Sequence, residues 1–254
     1  MSGHSKWHNI RLRKGKVDAQ RGQLFTKLSK ELTVAAKSGP PDPEANFRLK
    51  IAVAKAREAN MPMENIKRAL ARAGGEGKGR GLEEVRYEGY APAGVAVIVD
   101  ALSDNRNRTA SEMRYIFSRN GGNLGETGCV SWLFAERGVL SVATQALISE
   151  EELLDCAAVA GVLDLDFEAE TAEVLTEPAA LSSVREHVER ALSIRHGRIE
   201  VSASIRLVAK AQVDVPAEAA APVLALLDAL EEHDDVSAVA SNASISEAVM
   251  EALA

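Results

Sequence analysis

Between Gly74 and Gly81 the chain reads Gly-Gly-Glu-Gly-Lys-Gly-Arg-Gly, five glycines in eight residues. Glycine gives up more backbone freedom on ordering than any other residue, so a helix or strand through this stretch would be costly, and a flexible tether is expected. The tether divides the chain. Before it the apolar residues recur with helical spacing; after it the pattern turns to strands mixed with helices. A phosphate-binding loop does not fit the glycines. Gly79 is followed by Arg80 rather than by Lys and a hydroxyl residue, and no strand precedes them.

Three helices are expected ahead of the tether. In residues 23–37, Leu24, Phe25, Leu28, Leu32, Ala35 and Ala36 form one apolar stripe, with Lys27, Lys30 and Lys37 on the opposite side. Val34 is the exception on that basic side. Gly39-Pro40-Pro41 stops this helix; Asp42 is expected to cap a second, with Pro43 at its first position, running to about Asn60. Pro62 opens a third, which Gly74 ends.

Beyond the tether, strand 139–143, helix 149–160, strands 163–168 and 171–176, helix 178–192 and strand 199–205 spell βαββαβ. Ser149 and Glu152 make a capping box, Gly161 closes the first of these helices, and Gly138 marks a turn ahead of the unit. The flanking pieces spell the same order: strand 94–102, a helix over 110–119 capped by Thr109, strand 129–135, strand 211–215, helix 217–231 and strand 236–241. The fold class expected is therefore α+β with three domains, an all-α basic N-terminal domain and two βαββαβ split-βαβ domains, the third inserted in the second. The boundaries are 1–80, 81–137 plus 206–254, and 138–205.

Charge follows the same division. Residues 1–80 hold 18 Lys and Arg against 7 Asp and Glu, a net of +11, whereas the remainder carries -18. A cationic block of this density points to a nucleic-acid-facing surface. The first residues concentrate it: Lys6, Arg11, Arg13, Lys14 and Lys16 neutralise phosphates, Trp7 offers a face for a base, and His8 lies beside it. Arg21, Lys27, Lys30 and Lys37 continue the basic side. A second candidate is Arg106, Asn107 and Arg108, between a strand end and a helix N-terminus, where unpaired N–H groups favour an anion.

Other chemistry finds no pattern. His4 and His8 have i, i+4 spacing but no Glu between them in the protease arrangement and no third ligand nearby, so no metal is expected. The glycines of 121–128 follow a helix and precede a strand, the reverse of a dinucleotide loop, and read as a helix stop and tight turn. Gly-x-Ser-x-Gly, His-Glu-x-x-His and Cys-x-x-Cys are missing, so an enzyme is not expected, and neither is a cofactor. Cys129 and Cys156 stand alone, which fits a reducing compartment. Met1–His8 contains no apolar stretch of signal-peptide length and no run reaches 18 apolar residues, so a cytoplasmic protein without a membrane partner is expected.

Several motifs are more specific. Ser2–Trp7, Phe25-Thr26-Lys27-Leu28-Ser29-Lys30-Glu31, Val34-Ala35-Ala36-Lys37 and Asn60-Met61-Pro62 stand ahead of the tether. Tyr87-Glu88-Gly89-Tyr90-Ala91-Pro92, Asp104–Thr109 and Gly121-Gly122-Asn123-Leu124-Gly125 follow it. With these the chain resembles the YebC/PmpR family, relatives of the mitochondrial translational activator of cytochrome c oxidase. Leu230–Val236 extends the match; Cys129 stands where the family pattern has serine, and Ala91–Gly94 is slightly altered.

The resemblance implies three domains around a cleft and a cytoplasmic regulator without an enzymatic reaction. It leaves two readings open. One is a DNA-binding transcriptional regulator; the alternative is a translation factor on the ribosome or its RNA that assists difficult, proline-rich sequences. The expected partner is nucleic acid, DNA or ribosomal RNA, with the ribosome itself a further candidate.

Overall fold

The computed structural model describes residues 18–74, 81–144, 147–167, 171–197 and 199–253. It opens with three helices, α1 Asp18–Lys37, α2 Phe47–Glu58 and α3 Met63–Gly74. Their apolar stripes meet in one core, with Leu28, Leu32 and Ala35 of α1 against Leu49, Ala52 and Ala56 of α2 and Ile66 and Ala69 of α3. The tether, residues 75–80, lies outside the described residues.

The start of α2 differs from expectation. Asp42 makes a local turn, accepting from the Glu44 N–H at 3.0 Å, and Asn46 is the cap. Its Oδ1 accepts from the Leu49 N–H at 3.1 Å, while its Nδ2 donates to the Ala35 and Pro40 carbonyls at 2.9 and 3.0 Å. An amide offers both an acceptor and donors; an ionised Asp offers acceptors alone. Asn46 thus caps one helix and ties it to the end of another while buried. Asn46→Ala should cost about 2 kcal/mol, adding a lost cap to the two lost bonds that tie it to the Ala35 and Pro40 carbonyls, measured as a lower urea midpoint. Asn46→Asp should recover only the capping share.

Past the tether come β1 Glu83–Tyr90, β2 Ala96–Ser103, α4 Arg106–Arg119, β3 Asn123–Leu124, β4 Phe134–Ala143, α5 Glu150–Ala157, β5 Val162–Phe167, β6 Thr171–Thr176, α6 Leu181–His196 and β7 Val201–Ala209. The chain ends with β8 Val213–Asp214, α7 Ala217–Glu231, β9 Val236–Ser241, β10 Ala243–Ser244 and α8 Glu247–Leu253. Residues 134–208 make one compact unit; the described residues before and after it make the other. Within 134–208 the order βαββαβ is as expected, in a sheet β5-β6-β4-β7. Ser149 caps α5, accepting from the Glu152 N–H at 3.2 Å. Gly138 does not turn the chain: it sits inside β4 opposite Thr176, where a Cβ would lie 2.3 Å from the threonine hydroxyl.

The other unit departs from the expected order. Its sheet runs β3-β1-β2-β9, and β1 and β2 form a hairpin with Tyr87 opposite Val99. No strand occupies 129–133; residues 131–133 form a single 3-10 turn, and β3 takes the edge. β8 pairs in parallel with β10, as a separate two-stranded sheet. Met113 and Phe117 of α4 and Val223, Leu226, Leu227 and Leu230 of α7 pack with Tyr87, Val97 and Val99 in a single core. The result is a mixed fold, helical first and then sheet-based. Among the described residues, no helix is long and apolar enough to cross a membrane.

Candidate nucleic-acid interface

The chain leaves α7 through Glu232, His233, Asp234 and Asp235 and enters β9 at Val236. The Asp235 carbonyl accepts from the Leu102 N–H at 2.7 Å, fixing this turn to the end of β2. The next element after β2 is α4, capped by Asn105, whose Oδ1 accepts from the Arg108 N–H at 3.2 Å. The expected cap, Thr109, instead lies in the first turn of α4 and is buried. Its hydroxyl meets Ser103 at 2.7 Å and the Asp235 carboxylate at 2.8 Å.

Asp235 is a buried junction. Oδ1 accepts from Lys30 Nζ at 2.6 Å, and Oδ2 accepts from the Arg108 guanidinium at 2.6 Å as well as from Thr109. Burial alone would raise its pKa, but the hydrogen bonds from Lys30, Thr109 and Arg108 overcome that and hold it at about 2. Lys30 also reaches the Asp234 carbonyl at 3.1 Å, and Lys27 donates to the Glu231 carbonyl. Cations here meet the exposed carbonyls and negative dipole end of α7. Burial nonetheless pushes the Lys27 ammonium below its usual value, against the pull of Glu231 and Asp234. Lys27, Lys30 and Val34 stand three and four residues apart on one stripe of α1, and Val34 is buried. The stripe expected to face a partner is therefore a docking face within the molecule.

The remaining candidates fall in three groups. Lys6, Trp7, His8, Arg11, Arg13, Lys14 and Lys16 lie outside the described residues, as do His4 and the side chain of Arg21. Lys37 and Asn107 are exposed. Arg106 is 68% exposed with Glu83 at 3.9 Å, whereas Arg108 pairs with Asp104 at 3.0 Å as well as with Asp235. The two arginines of the loop are thus unequal: Arg106 reaches into solvent, and Arg108 knits α4 to the turn before β9.

Sequence reasoning passed over the outer face of the helical region. Arg68 and Arg72 of α3 are exposed and border a hollow of about 190 Å³ against Phe25, Thr26 and Ser29 of α1. Their i, i+4 spacing was the available signal. Sequence reasoning also passed over Glu112, His233 and Asp235, whose donor atoms lie within 4.8 Å of one another. They fit a metal poorly, because both Asp235 oxygens already serve two cationic side chains and a hydroxyl.

A second buried carboxylate organises the glycine-rich loop. Glu88 of β1 accepts from the backbone N–H groups of Gly128, Val130 and Ser131 at 2.8, 2.9 and 2.8 Å. Burial opposes ionisation, but these bonds hold the Glu88 pKa below the usual carboxylate value. The loop carries Trp132, 66% exposed, and the Trp132 Nε1–H and Tyr90 hydroxyl both donate to the Cys129 carbonyl, at 3.1 and 3.3 Å.

This chain matches two family profiles, one described as "TACO1/YebC protein N-terminal domain" over residues 5–76 and one as "TACO1/YebC second and third domain" over residues 82–243. The chain belongs to the TACO1/YebC family. A TACO1/YebC relative from Moorella thermoacetica, named "Probable transcriptional regulatory protein", is 50% identical, with 100% of this chain and 99% of the relative covered. A protein of the same name from Persephonella marina is 49% identical, with 99% of each covered. The crystal structure of a conserved hypothetical protein from Aquifex aeolicus superposes with a TM-score of 0.82 at 46% identity, over 91% of this chain and 93% of that one. The TACO1/YebC motifs acquire physical roles here: Tyr87–Pro92 carries Glu88, and Asp104–Thr109 and Leu230–Val236 meet at Asp235.

Proposed function

We propose that this protein is a non-enzymatic, cytoplasmic regulator of gene expression that binds nucleic acid through its N-terminal helical region, as a DNA-binding transcriptional regulator. The observation that carries the reading is the segregation of charge: +11 in residues 1–80 against -18 in the rest. A polyanion is attracted to the first block and repelled by the second. The name of these relatives, "Probable transcriptional regulatory protein", supports the same reading. In this reading residues 1–80 form the binding domain, 81–137 with 206–254 a discontinuous second domain, and 138–205 an acidic insert. Within the first, Lys6, Trp7, Arg11, Arg13, Lys14 and Lys16 contact the ligand, and Lys27 and Lys30 hold the helices in place.

The test is a titration against duplex DNA and a ribosomal RNA fragment over a range of salt. Each phosphate contact contributes a log–log slope of about -0.9 on duplex and about -0.7 on a single strand. Replacing Arg11, Arg13, Lys14 and Lys16 with Ala should flatten the duplex slope by about 3 to 4. An unchanged slope would move the surface elsewhere. Tighter binding to the RNA fragment than to DNA at physiological salt would replace transcription with translation as the process regulated.

A further inference from the structure

We infer that the hollow between α1 and α3 is a phosphate site, in which Arg68 and Arg72 grip one phosphodiester of a nucleic-acid backbone. The choice of nucleic acid as carrier rests on the function proposed above; the site itself rests on geometry. Asn65, Arg68 and Arg72 are spaced i, i+3 and i+7, on one stripe of α3, and this stripe faces Phe25, Thr26 and Ser29 of α1.

Arg68 and Arg72 share one hollow, and both are uncommitted. Elsewhere in the helical region Lys30 pairs with Asp235, Arg48 with Glu84, Lys50 with Glu44, Lys55 with Glu31 and Lys67 with Glu64. The Arg68 and Arg72 side chains make no ion pair or hydrogen bond among the described residues, and no carboxylate lines the hollow. Two guanidinium forks beside an open, carboxylate-free hollow suit a tetrahedral anion, since each fork can give parallel N–H bonds to two of its oxygens. The Asn65 amide adds a donor. The Thr26 and Ser29 hydroxyls donate to the Gly22 and Phe25 carbonyls at 3.1 and 2.8 Å, so they shape the wall. The two walls are also linked: the Thr33 hydroxyl of α1 is shared between the Ser29 carbonyl at 2.8 Å and the Ala69 carbonyl of α3 at 3.2 Å. Phe25 supplies an apolar wall for the sugar next to the phosphate.

The experiment uses the full chain and two probes, inorganic phosphate and a short DNA duplex. In ¹⁵N spectra, millimolar phosphate should shift the Arg68 and Arg72 Nε resonances and the Ser29 amide. Arg68→Gln with Arg72→Gln should abolish the Ser29 shift and flatten the duplex salt slope by about 2, roughly 1 for each lost cation. Arg68→Lys with Arg72→Lys keeps the charge and loses the forks; it should retain most of the slope yet weaken binding roughly tenfold. Both pairs are surface changes, and circular dichroism checks the fold. If the wild type binds duplex with a steep slope that the Gln pair leaves unchanged, the hollow is not the site and the proposed function stands. If the wild type binds no nucleic acid, the function fails, and the phosphate shifts alone decide: their presence supports the site and their absence overturns it.

Discussion

Asp235→Asn should lower the unfolding free energy by about 2 kcal/mol at neutral pH and remove a step in stability from the acid limb. The carboxyl titrates at about 2 in the folded chain against 3.8 as its ordinary value. A tenfold change in proton affinity is worth about 1.4 kcal/mol, which sets the size of the effect. The folded pKa is the depressed one, so the stabilisation is fully present above pH 3.8 and disappears as pH falls through 2. Loss of a charge from a fully buried pair costs about 3–5 kcal/mol, but Lys30 and Arg108 are 22% and 44% exposed and would regain water. The asparagine also turns an NH2 toward donors that need an acceptor. Urea unfolding of both proteins between pH 7 and 2 reads the result. The wild-type curve should fall more steeply below pH 4, and the two should converge near pH 2. Parallel curves would show that Asp235 is not the junction described. Lys30→Ala in both backgrounds gives the coupling between them directly.

The same residues show what a sequence reveals and what it withholds. The βαββαβ order of residues 134–208 was legible because its signals are local, as in Ser149 capping α5. The edge of the other sheet was not. Residues 129–135 form the kind of short apolar run that suggests a buried strand, but the Val130 and Ser131 N–H groups bond to Glu88, which takes them out of any ladder. β1 escaped notice for a related reason: its buried run, Tyr87, Glu88 and Gly89, holds a charge and a glycine where apolar residues would announce a strand. Gly89 is required there because a Cβ would lie 2.5 Å from the Asn123 carbonyl of the neighbouring strand. For the candidate site, the cationic excess was plain but its use was not. Charge counts do not say which cation meets a carboxylate two hundred residues away. Val34 was the one local sign, an apolar residue on the stripe of Lys27 and Lys30, and it is buried because that stripe is covered.

Glu88→Ala should be the most damaging single change, costing about 3 kcal/mol. Three backbone N–H groups would lose their acceptor, and a buried donor left unpaired costs about 1–3 kcal/mol. The three are not equal. Val130 is buried, Ser131 is half-buried and Gly128 is exposed, so water replaces the carboxylate most readily at Gly128 and least at Val130. Glu88→Gln keeps one oxygen but presents an NH2 where the second stood, and should lose about half as much. The damage should begin locally. Hydrogen exchange at 128–131 should speed up before the helical region responds, because α1–α3 have their own core. Trp132 reports the same event, since its Nε1–H is held on the Cys129 carbonyl inside the loop that Glu88 fixes. In a Trp7→Phe background, which leaves Trp132 as the single tryptophan of the chain, its emission should change in Glu88→Ala under conditions where the far-ultraviolet dichroism is still native. The carboxyl is held below its usual pKa, so the loop should also loosen in the wild type as pH falls through that depressed value, and not as it rises. A variant that unfolds in one step, with 128–131 protected until the end, would instead make Glu88 part of the global core.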